Sequence, residues 1–398
     1  MLDVMKSSWF TALVRTSDVF ELLRDGRPRT RAQLAEATGL ARSTIAARVE
    51  VLMRLGLVAP YGDARSTGGR PPSLFALNPA ARVVAGIDIG ATHAVAVLAD
   101  LSGAILGELR EDLDIAQGPE VVLGWATATV ERLLDGAGRP HRDLAAIGIG
   151  LPGPVEHSSG RPINPPIMPG WDRHDVPATV QRTFAVPVLI DNDVNIMALG
   201  EQQTHLPDVD DLVFIKVATG IGAGIITGGR LQRGAQGTAG DLGHVRVSSG
   251  TGVPCRCGNE GCLEAVAAGP ALAARLTGAG VPARSGQDVV DLVRSGELAA
   301  IQQVRQAGRD LGEVVATMVN LINPSVVVIG GRLADAGEHL IAGIREVVYQ
   351  RSLPLATEHL RIVASVAGAQ AGVLGAATMA IGHVLSPEAI EVAASQIS

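Results

Sequence analysis

Residues 83–92 read VVAGIDIGAT, an apolar run that ends in a glycine-containing turn. The run has the length and composition of a buried strand, and residues 93–99 are expected to return antiparallel to it as a second strand. From here onward, apolar strands punctuated by glycine alternate with helical stretches. This alternation predicts an α/β fold for the part of the chain that begins at Val83.

The segment in front of this stretch has the opposite charge. Residues 1–82 contain 12 Lys and Arg against 7 Asp and Glu, whereas residues 83–398 contain 21 against 33. The basic head is expected to meet a polyanion and the acidic body to handle a small molecule. The alternative is that the basic residues of the head form only a solvated face.

Length and composition exclude several classes of protein. The 398 residues allow two or three packed units, and 47% hydrophobic residues exclude a chain that is disordered throughout. No apolar run is long enough to span a membrane, and the first residues, MLDVMKSSWF, do not resemble a secretory signal, so a cytoplasmic location is expected. All three cysteines lie within eight residues, which argues against a disulfide framework.

Two consecutive helices are predicted in the head. Residues 30–33, TRAQ, have the form of a capping box, Gly39 supplies a turn, and a second helix with one apolar face is expected from Arg42 to Leu55. This pattern is typical of a helix-turn-helix, whose second helix enters the major groove by its amino-terminal residues. Arg48 is the best candidate for reading guanine. The residues predicted to contact DNA from this helix are Arg42, Ser43, Thr44, Ala47 and Arg48.

A hairpin wing is predicted after these helices. An extended run follows Leu57, residues 62–72 form a polar tip, and residues 74–77 return as a strand. Prolines stiffen the tip around Arg70, and an arginine held in this way can enter a narrow minor groove or contact phosphate. The alternative is an arginine in a polar linker. We therefore interpret residues 1–82 as a winged helix-turn-helix DNA-binding domain.

Two glycine-rich turns of the body follow predicted strands. One is DIGAT at residues 88–92, and the other is ATGIGAG at residues 218–224. Backbone amides of such turns can approach anionic oxygens closely, and Thr92 and Thr219 add hydroxyl donors. The two turns can therefore clasp one polyphosphate, although each alone is also compatible with an ordinary hairpin. Neither matches a P-loop or a Rossmann fingerprint.

A cluster of cysteines indicates a metal site. The sequence CRCGNEGC occupies residues 255–262, and His244 lies eleven residues before it. Three thiolates and one imidazole form a closed tetrahedral set for Zn²⁺, which implies a structural role. The alternative is a coincidental cluster of reduced thiols. The predicted metal ligands are His244, Cys255, Cys257 and Cys262.

Taken together, these motifs resemble the ROK family of repressors, open reading frames and sugar kinases. The motifs are DIGAT at 88–92, IDNDVN at 190–195, ATGIGAG at 218–224, GDLGH at 240–244 and the cysteine cluster. With the head in front, the chain resembles the regulator branch, which includes xylose and N-acetylglucosamine repressors. The resemblance implies an actin-like ATPase (ribonuclease H-like) fold of two lobes around a sugar cleft. The implied units are lobe 1 at 83–198, lobe 2 with the zinc loop at 199–380, and a carboxyl-terminal helix at 381–398.

The resemblance also implies a sugar site. Asp193 matches the family's base, which accepts the proton of the attacking hydroxyl in phosphoryl transfer. Asp241 stands where the family's kinases usually have Glu, so one ligand is shorter by a methylene. For DND at 191–193 taken alone, a capped helix start is the alternative. The implied sugar-binding residues are Asn192, Asp193, Asp241, His244, Glu264, Gly153 and Asn164.

The nucleotide half departs from the family's kinases. Ala91 stands where they usually have a second glycine, and His93 where they often have lysine. Gly330-Gly331 follows the predicted strand 326–329 and resembles the adenine-side turn. ATP and Mg²⁺ are therefore expected only if kinase activity is retained. The implied nucleotide-binding residues are Asp88, Gly90, Thr92, Thr219, Gly220, Gly222, Gly330 and Gly331.

The leading hypothesis is a sugar-responsive DNA-binding transcriptional regulator, most simply a repressor of carbohydrate genes. Its expected partners are operator DNA and a sugar or sugar phosphate effector, with no membrane, in a homodimer or tetramer. The alternative is an ATP-dependent sugar kinase, or a bifunctional protein, with Asp193 as base. A last helix is expected to start at Ser386-Pro387. It is expected either to pack in the core or to contact the head.

Overall fold

The computed structural model describes residues 15–63 and 72–397, so most of the predicted wing tip, with Arg70, lies outside the described residues. The helices are α1 (Thr16–Glu21), α2 (Arg31–Thr38), α3 (Arg42–Arg54), α4 (Pro119–Gly136), α5 (Val176–Gln181), α6 (Asp193–His205), α7 (Leu263–Ala267), α8 (Gly269–Gly278), α9 (Gly286–Arg294), α10 (Leu298–Ile322), α11 (Glu338–Arg351), α12 (Pro354–Thr357), α13 (Ala371–Val384) and α14 (Pro387–Ser395). The strands are β1 (Arg29–Thr30), β2 (Val58–Asp63), β3 (Ser73–Leu77), β4 (Val83–Ile89), β5 (Ala94–Asp100), β6 (Ile105–Glu111), β7 (Leu144–Leu151), β8 (Val155–Glu156), β9 (Arg161–Pro162), β10 (Val188–Asn192), β11 (Leu212–Val217), β12 (Ile221–Thr227), β13 (Arg230–Gln232), β14 (Val326–Gly330) and β15 (Arg361–Ala364).

The head contains the predicted helix-turn-helix and the two strands of the wing. The Thr30 side chain accepts a hydrogen bond from the Gln33 amide at 3.2 Å, and the Gln33 side chain accepts one from the Thr30 amide at 2.8 Å, which confirms the capping box. Helix α2 ends at Gly39, whose φ of 71° is left-handed. Strands β2 and β3 pair antiparallel, and β1 adds to β3. The buried face of α3 consists of Ile45, Val49 and Leu52.

The capping box predicts a measurable effect on stability. Replacing Thr30 by alanine removes the side-chain oxygen that satisfies the Gln33 amide at the start of α2. Such caps contribute about 1 kcal/mol. We expect the free energy of unfolding of Thr30→Ala, measured by urea titration, to fall by about this amount. Thr127→Ala is the control, because Thr127 lies in the middle of α4 and its replacement removes no helix cap. An unchanged value for Thr30→Ala would contradict the prediction.

Two five-stranded sheets of the body share one arrangement. The first has the order β10-β7-β4-β5-β6 and the second the order β13-β12-β11-β14-β15. In each, the first three strands in sequence form an antiparallel meander, and the last two add in parallel to the opposite side. The predicted return of residues 93–99 is confirmed by the antiparallel pairing of β4 and β5. The body is thus a duplicated α/β structure.

Helices α6 and α13 cross with their backbones in contact. A Cβ added to Gly375 would lie 1.6 Å from the carbonyl oxygen of Ile196, and one added to Gly200 would lie 1.9 Å from that of Ala371. Glycine is therefore required at both positions. Because α13 also packs on β4 and β7, this crossing fixes α6, and with it Asp193, relative to the first sheet.

The last helix joins the head to the body. Ser386 caps α14 as predicted, with its Oγ accepting from the Ala389 amide at 3.2 Å. Glu391 accepts a hydrogen bond from the Ser17 amide at 2.8 Å, so α14 contacts the head as well as packing in a core. One buried apolar cluster runs without interruption through the head, the first sheet and the last two helices, and it includes Phe20, Leu52, Val84, Val97, Val373 and Ile390.

Across residues 15–63 and 72–397, no single helix is long and apolar enough to cross a membrane. One bent pair, residues 368–384 with 387–395, reaches that length and composition only when its two parts are taken together.

Candidate functional site

The amino terminus of α6 carries the predicted sugar-binding motif. The Asn192 side chain accepts a hydrogen bond from the Val194 amide at 2.9 Å and donates one to the Gly153 carbonyl at 2.8 Å. Asn192 therefore caps the helix, as the alternative interpretation predicts, and it also ties the helix to the loop after β7. These bonds bring Asn192, Asp193 and Gly153 together at one edge of the first sheet.

Asp193 forms an ion pair with Lys216, which the sequence analysis did not single out. Lys216 lies near the end of β11 in the second sheet, whereas Asp193 opens α6, so the pair joins the two halves of the body. Burial alone would lower the pKa of Lys216, but the Asp193 and Asp88 carboxylates raise it above its usual value. The only sequence signal for this residue was a charge within an apolar strand.

Asp88 supplies a second carboxylate near this pair. It is buried at the end of β4, and a Cβ on Gly372 would lie 2.2 Å from its Oδ2, so the side chain packs against the start of α13. Burial, followed by the charge of Asp193, raises the pKa of Asp88 to about 7, while Lys216 and Arg110 oppose this rise. The predicted nucleotide residue Asp88 and the predicted base Asp193 thus share one electrostatic environment.

The first of the two glycine-rich turns, at residues 88–92, is closed by a histidine that follows it. The Gly90 amide donates to the His93 carbonyl at 2.8 Å, and a Cβ on Gly90 would lie 2.2 Å from Cε1 of the His93 ring. The imidazole therefore lies against the glycine that is expected to approach a phosphate. Desolvation by its neighbours lowers the pKa of His93, and the charges of Lys216, Arg110 and Arg332 lower it further.

The second turn is held by Glu264. Its carboxylate accepts a hydrogen bond from the Ile221 amide at 3.0 Å, and a Cβ on Gly220 would lie 2.7 Å from Oε2. Glu264, implied as a sugar ligand, is thus also a support for the turn between β11 and β12. Gly331 has a φ of 82°, and a Cβ there would lie 2.7 Å from the Val217 carbonyl oxygen, so the turn after β14 also requires glycine.

A second ion pair joins the halves of the body. Asp191 is buried at the end of β10 and accepts from Nε of Arg233, just after β13, at 2.6 Å. Its other oxygen accepts from the Asn195 side chain at 2.7 Å. Sequence reasoning missed Arg233, because nothing in a polar loop marks one arginine as the partner of a residue 42 positions earlier.

The predicted metal ligands come together. His244 Nδ1 lies 3.7 Å from the Cys255 sulfur, and the Cys257 and Cys262 sulfurs are 3.6 Å apart. All four ligand atoms lie within 4.8 Å of one another. A tetrahedral set of one nitrogen and three sulfurs fits these positions, so the residues suit a metal ion with such ligands.

Other predicted residues lie at the surface. Asp241, Thr92 and Thr219 are exposed. Asn164 is also exposed and has a left-handed φ of 45°, with its amide bonded to the Asp172 carboxylate at 2.8 Å. Their assignment to sugar or nucleotide stays a prediction.

The predicted DNA-contacting residues lie along the first turns of α3. Arg42, Ser43 and Ala47 are exposed, and Thr44 is half-buried. Arg48 is also half-buried, and its guanidinium donates to the Thr16 hydroxyl of α1 at 3.3 Å. The Arg42 side chain is therefore more accessible to DNA than that of Arg48.

Comparison with known proteins identifies both parts of the chain. The ROK family model matches residues 84–383, and the IclR helix-turn-helix domain model matches residues 12–60. The xylose repressor of Caldicellulosiruptor bescii is 31% identical over 382 residues, which cover 92% of this chain and 95% of that protein.

Two solved structures resemble this chain over different shares of its length. A ROK family transcriptional regulator described as a homologue of the E. coli MLC protein superposes with a TM-score of 0.82 at 27% identity, covering 96% of this chain and 98% of that one. The ROK hexokinase from Thermus thermophilus has a TM-score of 0.66 at 32% identity and covers 76% of this chain and 99% of its own. The likeness to the regulator therefore spans nearly the whole chain, whereas the hexokinase matches a smaller part.

Proposed function

The chain belongs to the ROK family, and from this premise we propose that it is a sugar-responsive transcriptional repressor that binds operator DNA through its helix-turn-helix. The effector is a sugar or sugar phosphate held in the cleft around Asn192 and Asp193. The sugar-kinase-like body supplies recognition of the ring, and the head supplies affinity for DNA.

The observation that carries this proposal is the continuous packing between head and body. Phe20 and Leu52 of the head share one buried cluster with Val84 of the first sheet. A head on a flexible tether would leave sugar binding and DNA binding independent, whereas a shared core lets a change in one alter the other. The bond from Ser17 to Glu391 adds a polar contact at the same junction.

Closure of the two lobes is the bistable element that we propose. The pairs Lys216–Asp193 and Arg233–Asp191 both cross between the halves of the body, so a ligand bound there changes the contacts that set their relative orientation. Helix α13 lies on the first sheet and on α6, next to the junction with the head. Coupling requires the sugar to bind more tightly to one orientation than to the other.

The metal centre and the assembly belong to the same proposal. We assign zinc to the site of His244, Cys255, Cys257 and Cys262, because three thiolates and an imidazole are the typical ligands of structural Zn²⁺. The zinc would order the loop that precedes Glu264. A homodimer fits recognition of a two-fold symmetric operator by two helix-turn-helix heads.

Operator affinity measured with and without sugars tests the function. Duplexes selected from a random pool by the full-length protein are titrated by fluorescence anisotropy, with pentoses, hexoses, N-acetylhexosamines and their phosphates added in turn. We expect one sugar class to weaken binding. Sugars that bind saturably without altering DNA affinity would contradict the proposal.

Asp193→Asn tests the position of the sugar. Loss of a charged hydrogen bond is worth about 1.5 kcal/mol, so the sugar concentration for half-maximal release of DNA should rise about tenfold. Asp208→Asn, an exposed aspartate beyond the end of α6, is the matched control and should leave it unchanged. Equal sugar responses of the two variants would place the sugar elsewhere.

The kinase alternative is tested separately by release of ADP with ATP, Mg²⁺ and the same sugars. The two glycine-rich turns favour it, and the ion pair of Asp193 opposes it. We expect no turnover. Turnover that Asp193→Asn abolishes would instead establish a bifunctional kinase.

A further inference from the structure

The Lys216 side chain reaches from the second sheet to the start of α6. Its two neighbours across the sheet are both glycines, Gly222 on β12 and Gly330 on β14. Neither neighbour has a side chain that covers the lysine within the sheet. The Lys216 ammonium crosses to the Asp193 carboxylate at the start of α6, and the two side chains are only 23% and 8% exposed.

The ammonium thereby acts on two carboxylates. Its positive charge affects both Asp193, with which it is hydrogen bonded, and Asp88, which is buried in the same region. A neighbouring positive charge stabilises the charged form of carboxylates that lie close together in a poorly solvated region. In this chain a covalently attached cation supplies it.

Phosphoryl transfer to a sugar makes two demands on such a cleft. A carboxylate must be free to accept the proton of the attacking hydroxyl, and a divalent cation must neutralise the phosphate oxygens. One oxygen of Asp193 is instead taken up by the hydrogen bond from the Lys216 ammonium. A Mg²⁺ ion near the two carboxylates would meet the positive charge of Lys216 at short range. The Lys216 ammonium therefore opposes a metal ion between these two carboxylates, where a metal-bound nucleotide would place one.

The glycine-rich turn at residues 88–92 also opposes the binding of a nucleotide phosphate. The His93 ring lies against Gly90, where a phosphate would approach the backbone, and Ala91 adds a methyl group beside it. Sequence alone revealed the substitutions at 91 and 93, and the structure adds the position of the imidazole.

We propose that Lys216 is a built-in cation that replaces the metal-bound nucleotide and holds Asp193 as a hydrogen-bond acceptor for the sugar. This inference rests on the proposed function and specifies its ligand: the cleft responds to a sugar alone, without ATP. Lys216 is a positioning residue in this scheme, because it acts on the sugar through Asp193.

Binding of Mn²⁺ to the full-length protein, followed by electron paramagnetic resonance, tests the proposal without DNA or sugar. Lys216→Met should bind Mn²⁺ about tenfold more tightly than the wild type, because two carboxylates lose their internal cation. Lys216→Arg keeps the charge and should behave as the wild type. Adding Asp88→Asn to Lys216→Met should remove the gain, which locates it in this cleft. Equal affinity of wild type and Lys216→Met would overturn the proposal.

A second measurement on the wild type does not depend on any variant folding. The melting temperature should be unchanged by Mg²⁺ with a non-hydrolysable ATP analogue, since a ligand that binds the native state raises it. A dose-dependent rise would overturn the proposal. Because neither measurement involves operator DNA, a negative result here leaves the sugar-dependent DNA assay to decide the function on its own.

Discussion

Cys262→Ser is expected to lose the zinc that we assign to the loop between His244 and Cys262. A structural zinc site contributes about 10–16 kcal/mol in small domains, so one of four ligands accounts for roughly 3 kcal/mol or more. Serine has nearly the size of cysteine but is a poor zinc ligand. After dialysis against a mild chelator, we expect about one zinc per chain in the wild type and almost none in Cys262→Ser.

The same variant should lose sugar binding before it loses the fold. The loop leads directly into α7, whose Glu264 holds the turn at Ile221, so a disordered loop releases that carboxylate. Arg256→Ala is the matched control, because Arg256 is exposed between two of the ligands and is not one of them. Retention of zinc by Cys262→Ser, or its absence from the wild type, would refute the assignment.

Arg42→Ala is expected to weaken operator binding by about 1–3 kcal/mol, the range for an arginine that contacts a base edge. Arg42 is exposed at the first position of α3, whereas Arg48 donates to Thr16 inside the head. Removing Arg42 should therefore change the DNA contact without disturbing the packing of α1. Fluorescence anisotropy at fixed salt, on operator and on scrambled duplex, gives the loss for each.

The two duplexes distinguish how Arg42 contacts DNA. A larger loss on operator than on scrambled DNA indicates base readout, whereas equal losses indicate a phosphate contact. Arg24→Ala is the control of equal charge, since Arg24 is an exposed arginine just after α1. Unchanged affinity for Arg42→Ala would contradict the predicted orientation of α3.

Local patterns predicted the head and the strands well. The capping box at Thr30 and the apolar period of α3 are both properties of a few consecutive residues, and both are confirmed. The strand at 83–89 and its antiparallel return depend on one apolar run and one glycine turn, which is also local information. The metal cluster was visible because its ligands are chemically distinctive at close spacing.

Contacts between distant elements were not predictable in this way. The roles of Lys216 and Arg233 depend on their ion pairs with Asp193 and Asp191. The packing of the two sheets brings these partners together. The partial burial of Arg48 depends on Thr16 in a separate helix. Periodicity describes one element at a time, so it gives the face of a helix but not what covers that face.

The uninterrupted apolar cluster beneath the head also bears on how the molecule unfolds. Phe20 and Leu52 of the head pack in the same buried cluster as Val84 and Val97 of the first sheet. Ile390 of the last helix belongs to this cluster as well. We therefore expect the head and the first lobe to unfold as one cooperative unit rather than as two separate modules. A substitution in the head core should then change the stability of the first lobe as well, and a sugar bound to that lobe should protect the head from local opening. Substitutions in the buried face of α3 are thereby constrained by the stability of the lobe beneath it, whereas exposed residues such as Arg42 lie outside this core.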